Sequence, residues 1–172
     1  MADAFNLKDG QRAERKLLIT VAEWTEGTSQ MREFLGTRTE DSSIEYNSEI
    51  ETTTDIRGNN YTDLERTQPE QTFDASPIIG GEKLKVKLND IRRRNAVSEL
   101  GGFTIYIITA FVGDSTNGYA AEMHTDCTIT YDSIGGDTKI NFPYTVHFSN
   151  KITTGTVDKL AEDFVFTPDV TV

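Results

Sequence analysis

The chain has 172 residues, a single cysteine and a net charge of −11. A domain of this length buries roughly 70% of the surface its unfolded chain exposes, so it folds without metal or disulfide, and Cys127 has no intrachain partner, as expected for assembly in a reducing cytosol. The N-terminal Met-Ala-Asp-Ala-Phe-Asn lacks a basic n-region and an apolar h-region, and no apolar run reaches bilayer length, which predicts a soluble, unexported chain; the acidic body argues against a nucleic-acid-binding surface.

In chain order, residues 1–15 are polar and aperiodic and read as an N-terminal arm. Leu17 to Trp24 reads as a first strand or a short helix, Thr25 to Ser29 as a turn, and Met31 to Leu35 as one helical turn before Gly36. From Ser43 the pattern alternates: Ile44, Tyr46 and Ile50 on one side, Glu45, Asn47, Glu49 and Glu51 on the other. That predicts a half-buried strand with an acidic wet face. Ile56 to Tyr61 contains the Gly58-Asn59 pair of a hairpin turn, and the polar return limb, with Pro69, runs to Phe73. Two limbs this poor in apolar residues cannot build a core. They predict a hairpin arm over 52–75 that finds order against another subunit.

Pro77 to Gly81 closes the arm and opens a helix over 82–95, with Leu84, Leu88 and Ile91 on its apolar face. Lys83, Lys85, Lys87, Arg92, Arg93 and Arg94, with Asp90, give this segment a local charge of +5 against −16 for the rest; a solvated basic face is the plainer reading, and the favoured expectation is that it meets acidic surface of this chain or of a neighbouring copy. Phe103 to Val112 is the most apolar ten-residue window, rich in β-branched and aromatic residues, and predicts a central strand covered on both faces. Gly113 to Gly118 reads as a loop. His124 to Asn150 predicts a hairpin about Gly135-Gly136 in which paired residue numbers sum to 271. Tyr131 then faces Ile140, Ile129 faces Phe142, Cys127 faces Tyr144 and Thr125 faces Val146 on the buried side. Asp132 with Lys139, Thr130 with Asn141, Asp126 with Thr145 and His124 with His147 lie on the wet side. Beyond residue 150 the chain reads as loop and short strand, ending in a tail over 159–172.

Little of this carries chemistry. His124 and His147 near Asp126 offer nitrogen ligands suited to zinc or nickel, but Cys127 points to the opposite face of the strand, and two surface histidines are the simpler reading. There is no Gly-x-Ser-x-Gly elbow, phosphate loop or His-Glu-x-x-His. The many carboxylates sit on wet faces without the burial that raises a catalytic pKa. The expectation is a protein that is not an enzyme and takes no cofactor or metal.

The order of elements resembles the major tail tube proteins of long-tailed bacteriophages, a group that includes the inner tubes of contractile tails and related prophage particles. Lys16 to Thr20, Thr54 to Gly58, Leu84 to Val112, Cys127 to Asp137 with its return strand, and Gly155 to Asp158 carry the resemblance. It implies one mainly β domain, a β-sandwich or partly rolled barrel of two sheets with one flanking helix and a long projecting hairpin arm. Six copies would form a ring whose inner sheets merge around a lumen, and rings would stack with the arm bridging subunits. The implied partners are a baseplate or tail-tip initiator, a tape-measure protein and a tail terminator, with DNA passing through unbound. The implied location is the virion tail, after assembly in the host cytoplasm. In that frame Glu45, Glu49, Glu51, Asp126, Thr128, Thr130, Asp132 and Lys139 are candidates to face the lumen, and Arg57, Gly58, Asn59, Asn60, Tyr61 and Arg66 to contact a neighbouring subunit. The alternative is a capsid decoration or a receptor- or carbohydrate-binding β-sandwich, for which Tyr119 and Trp24 are the candidate exposed aromatics.

Overall fold

The computed structural model describes residues 5–169, so the first four residues of the N-terminal arm and the last three of the C-terminal tail lie outside the described residues. The strands are β1 (Leu18–Glu26), β2 (Ser29–Phe34), β3 (Ile44–Glu45), β4 (Glu49–Thr54), β5 (Asn60–Arg66), β6 (Glu70–Phe73), β7 (Phe103–Asp114), β8 (Gly118–Tyr131), β9 (Tyr144–His147), β10 (Ile152–Val157) and β11 (Phe166–Pro168). Among the described residues there is one α-helix, α1 (Lys83–Arg94), which precedes β7. Nine strands form one antiparallel sheet in the order β2-β1-β7-β8-β9-β6-β3, with β10 beside β8 and β11 beside β10; β4 and β5 pair only with each other. The fold is mainly β and sandwich-like, with one helix.

The long strand β8 makes one sheet into two layers. Its first half pairs with β7 and β10, and residues 128–131 pair with β9. Between them the β7–β8 register shifts opposite Phe103–Ile105, where Asp126 holds φ 58. Such a bulge bends a strand, and Asp is among the few residues that tolerate the left-handed region. The bend closes the sheet over a core in which Ala22, Trp24 and Ile105 meet Ile129, Tyr144 and Val146, while α1 contributes Leu84, Leu88 and Ile91. The opposite face of the β1–β7–β8 layer buries Val21, Tyr106, Ile108 and Ala121 under Phe164. Thus β7 is covered on both faces, as its composition predicts.

Phe164 is held by a buried latch. Arg32 pairs with Glu23, donates to the Phe164 carbonyl at 2.5 Å and lies 4.3 Å from the Phe164 ring centroid. Phe164 and β11, beyond residue 158, therefore belong to the body. At the other end Phe5 packs edge-on to Phe111, and the Asn6 side chain donates to the carbonyls of Ala110 and Gly113, so these residues of the N-terminal arm lie against β7.

Several sequence expectations are corrected. Residues 31–35 are not a helical turn: Gly27, at φ 61, turns the chain back so that β2 pairs along β1. The strand predicted over 43–51 breaks at Asn47, φ 41, into β3 on the body and β4 outside it, leaving Tyr46 and Ile50 57% and 60% exposed. Residues 70–73, predicted within the arm, are a body strand that buries Gln71 and Phe73. The segment 113–118 is a tight β7–β8 turn in which Asp114 accepts the backbone N–H groups of Thr116 and Asn117.

The β8–β9 register also differs. Thr128 faces His147 and Tyr131 faces Tyr144, four residues away from the expected pairing. Asp132 therefore does not face Lys139, nor His124 His147. Residues 140–142 are taken by a different strand edge, with Ile78 donating to Ile140 and Phe142 to Ser76, and Gly135 pairs with Asn141 to close a smaller loop. Pro143, which has no N–H, ends the ladder. Because the slip is even, the side chains downstream of the Asp126 bulge that stay in the ladder keep their faces, and Cys127, Ile129, Tyr144 and Val146 are buried with Phe142 beside them. Ile140 becomes exposed and, upstream of the bulge, His124, expected on the wet side, is buried.

Candidate functional site

The outer face of the four-stranded layer formed by the end of β8 with β9, β6 and β3 is entirely polar. Thr128, His147, Glu70 and Glu45 form one cross-strand row, and Thr130, Thr145 and Thr72 the next. The rows are stitched together: Thr130 Oγ1 lies 3.1 Å from His147 Nε2, the Thr72 and Thr145 hydroxyls are 3.1 Å apart, Thr145 donates to Asp132 at 2.9 Å, and His147 Nδ1 is 3.5 Å from Glu70. Ile129, Tyr131, Tyr144, Val146 and Phe73 alternate inward. Gln71 is the inward polar exception, bonded to the hydroxyls of Thr20 and Ser42. This face presents hydroxyls, carboxylates and one imidazole, and among the described residues it carries no lysine or arginine to pair with a phosphate.

Of the eight lumen candidates, Glu45, Thr128, Thr130 and Asp132 come together here. Glu49 and Glu51 sit on β4 in the hairpin, so they do not form a row with Glu45. Asp126 lies at the bulge and pairs with Lys151, and Lys139 is on the loop between β8 and β9. Sequence reasoning omitted Glu70, Thr72, Thr145 and His147 from the candidates. The alternation Glu70-Gln-Thr-Phe73 was available as a signal, masked because its inward position 71 is itself polar.

The hairpin β4–β5 has every residue exposed. One face carries Ile50 opposite Leu64, Thr52 opposite Thr62 and Thr54 opposite Asn60; the other sets Glu51 against Asp63 and Thr53 against Tyr61. At the tip, Asp55 accepts the backbone N–H groups of Arg57 at 2.8 Å and Asn59 at 2.9 Å, the Asn59 amide at 3.0 Å and the Tyr61 hydroxyl at 3.1 Å. These donors, those of Asn59 above all, hold its pKa below the ordinary aspartate value. Gly58, at φ 80, completes the turn. Arg57, Gly58, Asn59, Asn60 and Tyr61 thus cluster at the tip, whereas Arg66 is at the base, paired with Glu49 at 2.6 Å.

The six cations of α1 do not form one face. Lys85 is buried, its ammonium donating to the Pro77 carbonyl at 2.6 Å and to Glu82 at 3.0 Å. Lys83 reaches Glu162 at 3.7 Å, and Arg94 binds Glu99 through both guanidinium ends as well as Asp90. Lys87, Arg92 and Arg93 form no salt bridge among the described residues; Arg92 donates to Asn89. At the helix N-terminus, Glu33 of β2 accepts the N–H groups of Lys83 and Leu84 at 2.5 and 3.1 Å. Burial nevertheless pushes its carboxyl pKa up.

The histidines are not the surface pair that the sequence suggests. His124 is buried against Phe148, 3.3 Å from both Glu122 and the Ser149 carbonyl, and its bond lowers the Glu122 pKa. Among the described residues no three His, Cys, Asp or Glu side chains are placed to hold a metal ion, and burial raises the Cys127 thiol pKa. Trp24 lies in the core and Tyr119 is half-buried, so neither offers an exposed aromatic platform. No helix among the described residues is long and apolar enough to cross a membrane.

No family model and no curated protein sequence matches the chain. Among solved structures it is similar to the anti-feeding prophage cap, a tube-terminating cap determined by cryo-EM. The TM-score is 0.48 at 14% identity, over 90% of this chain and 97% of that one. Likeness at this level leaves the functional reading to the geometry.

Proposed function

We propose that this protein is a structural, non-enzymatic subunit of a phage tail or tail-like particle, built into the tail tube. In this reading, six copies form a ring and the rings stack into a hollow conduit for the genome. The observation that carries it is the β4–β5 hairpin: an isolated two-stranded ribbon is marginal in water, and this one exposes Ile50, Ile56, Tyr61 and Leu64 without covering any of them. A ribbon of this kind is stable when a second molecule covers it.

The polar β8–β9–β6–β3 face supports the conduit. Turned toward a lumen, this face would show a passing phosphate backbone the carboxylates of Glu45, Glu70 and Asp132 and no lysine or arginine, so like-charge repulsion would let DNA move without sticking. The tape-measure protein, the baseplate or tail-tip initiator and the tail terminator are the partners this role requires. Among the described residues no cluster of exposed aromatics on a loop favours the alternative of a receptor- or carbohydrate-binding module.

The test is negative-stain microscopy of the purified chain across a concentration series. Rings or filaments with a central hole are expected. Monodisperse monomers at the highest concentration reached would exclude a tube subunit.

A further inference from the structure

We propose that the exposed side of α1, where it borders the β1–β2 turn, is the seat for the acidic face of the β4–β5 hairpin of a second copy. This rests on the tube reading and adds the docking site of the arm. The inference starts from charge. Residues 49–66 carry five carboxylates and two arginines, a net −3, within a chain of −11 whose one strongly basic segment is residues 83–94, at +5. A negative ribbon approaching another copy therefore meets repulsion nearly everywhere except at α1.

Both surfaces hold charges that their own subunit leaves unmatched. Glu51 stands directly opposite Asp63, a like-charged cross-strand pair that destabilises the ribbon, and Glu65 lies beside them at the register shift. None of the three forms a salt bridge among the described residues, since Arg66 is engaged with Glu49. On α1, Lys87 and Arg93 line the groove at the β1–β2 turn and are without carboxylates, because the nearby acids Asp90 and Glu99 are occupied by Arg94. Arg92, half-buried and donating to Asn89, lies outside that groove but also forms no salt bridge among the described residues. The unmatched acids of the hairpin thus have unmatched bases on α1 to meet.

Shape agrees with charge. The outward side of α1 and the β1–β2 turn at Thr25–Gly27 bound a groove of about 490 Å³, lined by Val86, Lys87 and Arg93, with Glu26 on the turn side and Asp90 and Glu99 neutralised by Arg94. Val86 is 69% exposed, an apolar floor for the Tyr61 ring, which projects from the same face of the hairpin as Glu51 and Asp63.

The experiment uses the full chain in three forms: Lys87→Glu/Arg92→Glu/Arg93→Glu on the helix, Glu51→Lys/Asp63→Lys/Glu65→Lys on the hairpin, and all six changes in one chain. Assembly is followed by sedimentation velocity and negative stain, and folding by circular dichroism and thermal melting. Each triple variant is expected to fold as the unmodified chain does while raising the concentration needed for assembly roughly a hundredfold, since like charges now face each other. The sixfold variant restores assembly, because the swapped signs again match. Triple variants that assemble normally overturn the proposal. So does a sixfold variant that folds but stays unassembled, which would assign α1 to a different occupant. If deleting the hairpin abolishes assembly while the charge reversals do nothing, the tube reading stands and this seat falls. If the unmodified chain never assembles, both fall.

Discussion

Arg32 links three parts of the chain through one side chain: it neutralises Glu23 on β1, bonds the Phe164 backbone and stacks on the Phe164 ring. Its side chain is 20% exposed and that of Glu23 only 10%, so removing the cation strands a charge in a poorly solvated place. Breaking a buried pair from one side costs about 3–5 kcal/mol, whereas replacing both members by apolar residues is often nearly neutral. Arg32→Met is therefore expected to lower unfolding free energy by that amount in urea titrations, and Glu23→Leu/Arg32→Met to recover most of it. Equal losses in the single and double variants would show that the latch holds by packing alone. Gly155 acts on the same segment by being small. A Cβ there would lie 2.3 Å from the Thr167 carbonyl oxygen, and Gly155→Ala is expected to detach β11, read as new protease cleavage after residue 158.

The elements divide into those whose signal is local and those set by a distant partner. Helix α1 and strand β7 follow from composition alone, because an amphipathic period and a doubly apolar run each have one economical burial. The break at Asn47, the body strand β6 and the four-residue slip of β9 could not be read that way. Each depends on which edge captures the segment, and the competing edge at Ser76–Ile78 lies more than 60 residues upstream of residues 140–142. Downstream of the Asp126 bulge face survived where register did not, since alternation has a period of two and the slip is even; Thr128, Thr130 and Asp132 therefore share one surface, which Glu45 joins from β3, while Glu49 and Glu51 went to the hairpin. Two predictions belong at this scale. The helix start depends on Glu33, a cap supplied from β2, and Glu33→Ala should cost roughly 1 kcal/mol, the usual worth of a lost cap, measured by thermal denaturation. The hairpin tip depends on ionised Asp55. Its folded pKa is depressed, so its contribution is present above the ordinary aspartate value and lost as pH falls through the folded one. The amides of Arg57 and Asn59 should lose hydrogen-exchange protection on acidification, and Asp55→Ala should remove that pH dependence.

For the molecule as a whole, the proposed lumen makes a charge prediction. Glu45→Lys/Glu70→Lys places two cations side by side on the polar face, away from the hairpin and from α1. Particles carrying it should assemble yet eject DNA slowly, with the defect fading as salt rises, because contacts between lysine and phosphate are salt-sensitive. Ejection at the unmodified rate at both low and high salt would put this face outside the channel. One further consequence comes from the pairing of β1 with β7. Glu23 and Tyr106 meet across a sequence separation of 83 residues, and at ordinary synthesis rates the ribosome needs on the order of 10 s to cover that distance. Throughout that interval β1 has only β2 beside it, and Val21, Ala22 and Trp24 wait in water for a strand not yet made. Pairing this remote also slows folding once the chain is complete. Time, rather than stability, is then the hazard for each new subunit, and slowing aggregation during synthesis, by cooler expression or more abundant chaperone, should raise the yield of native chains without altering their melting temperature.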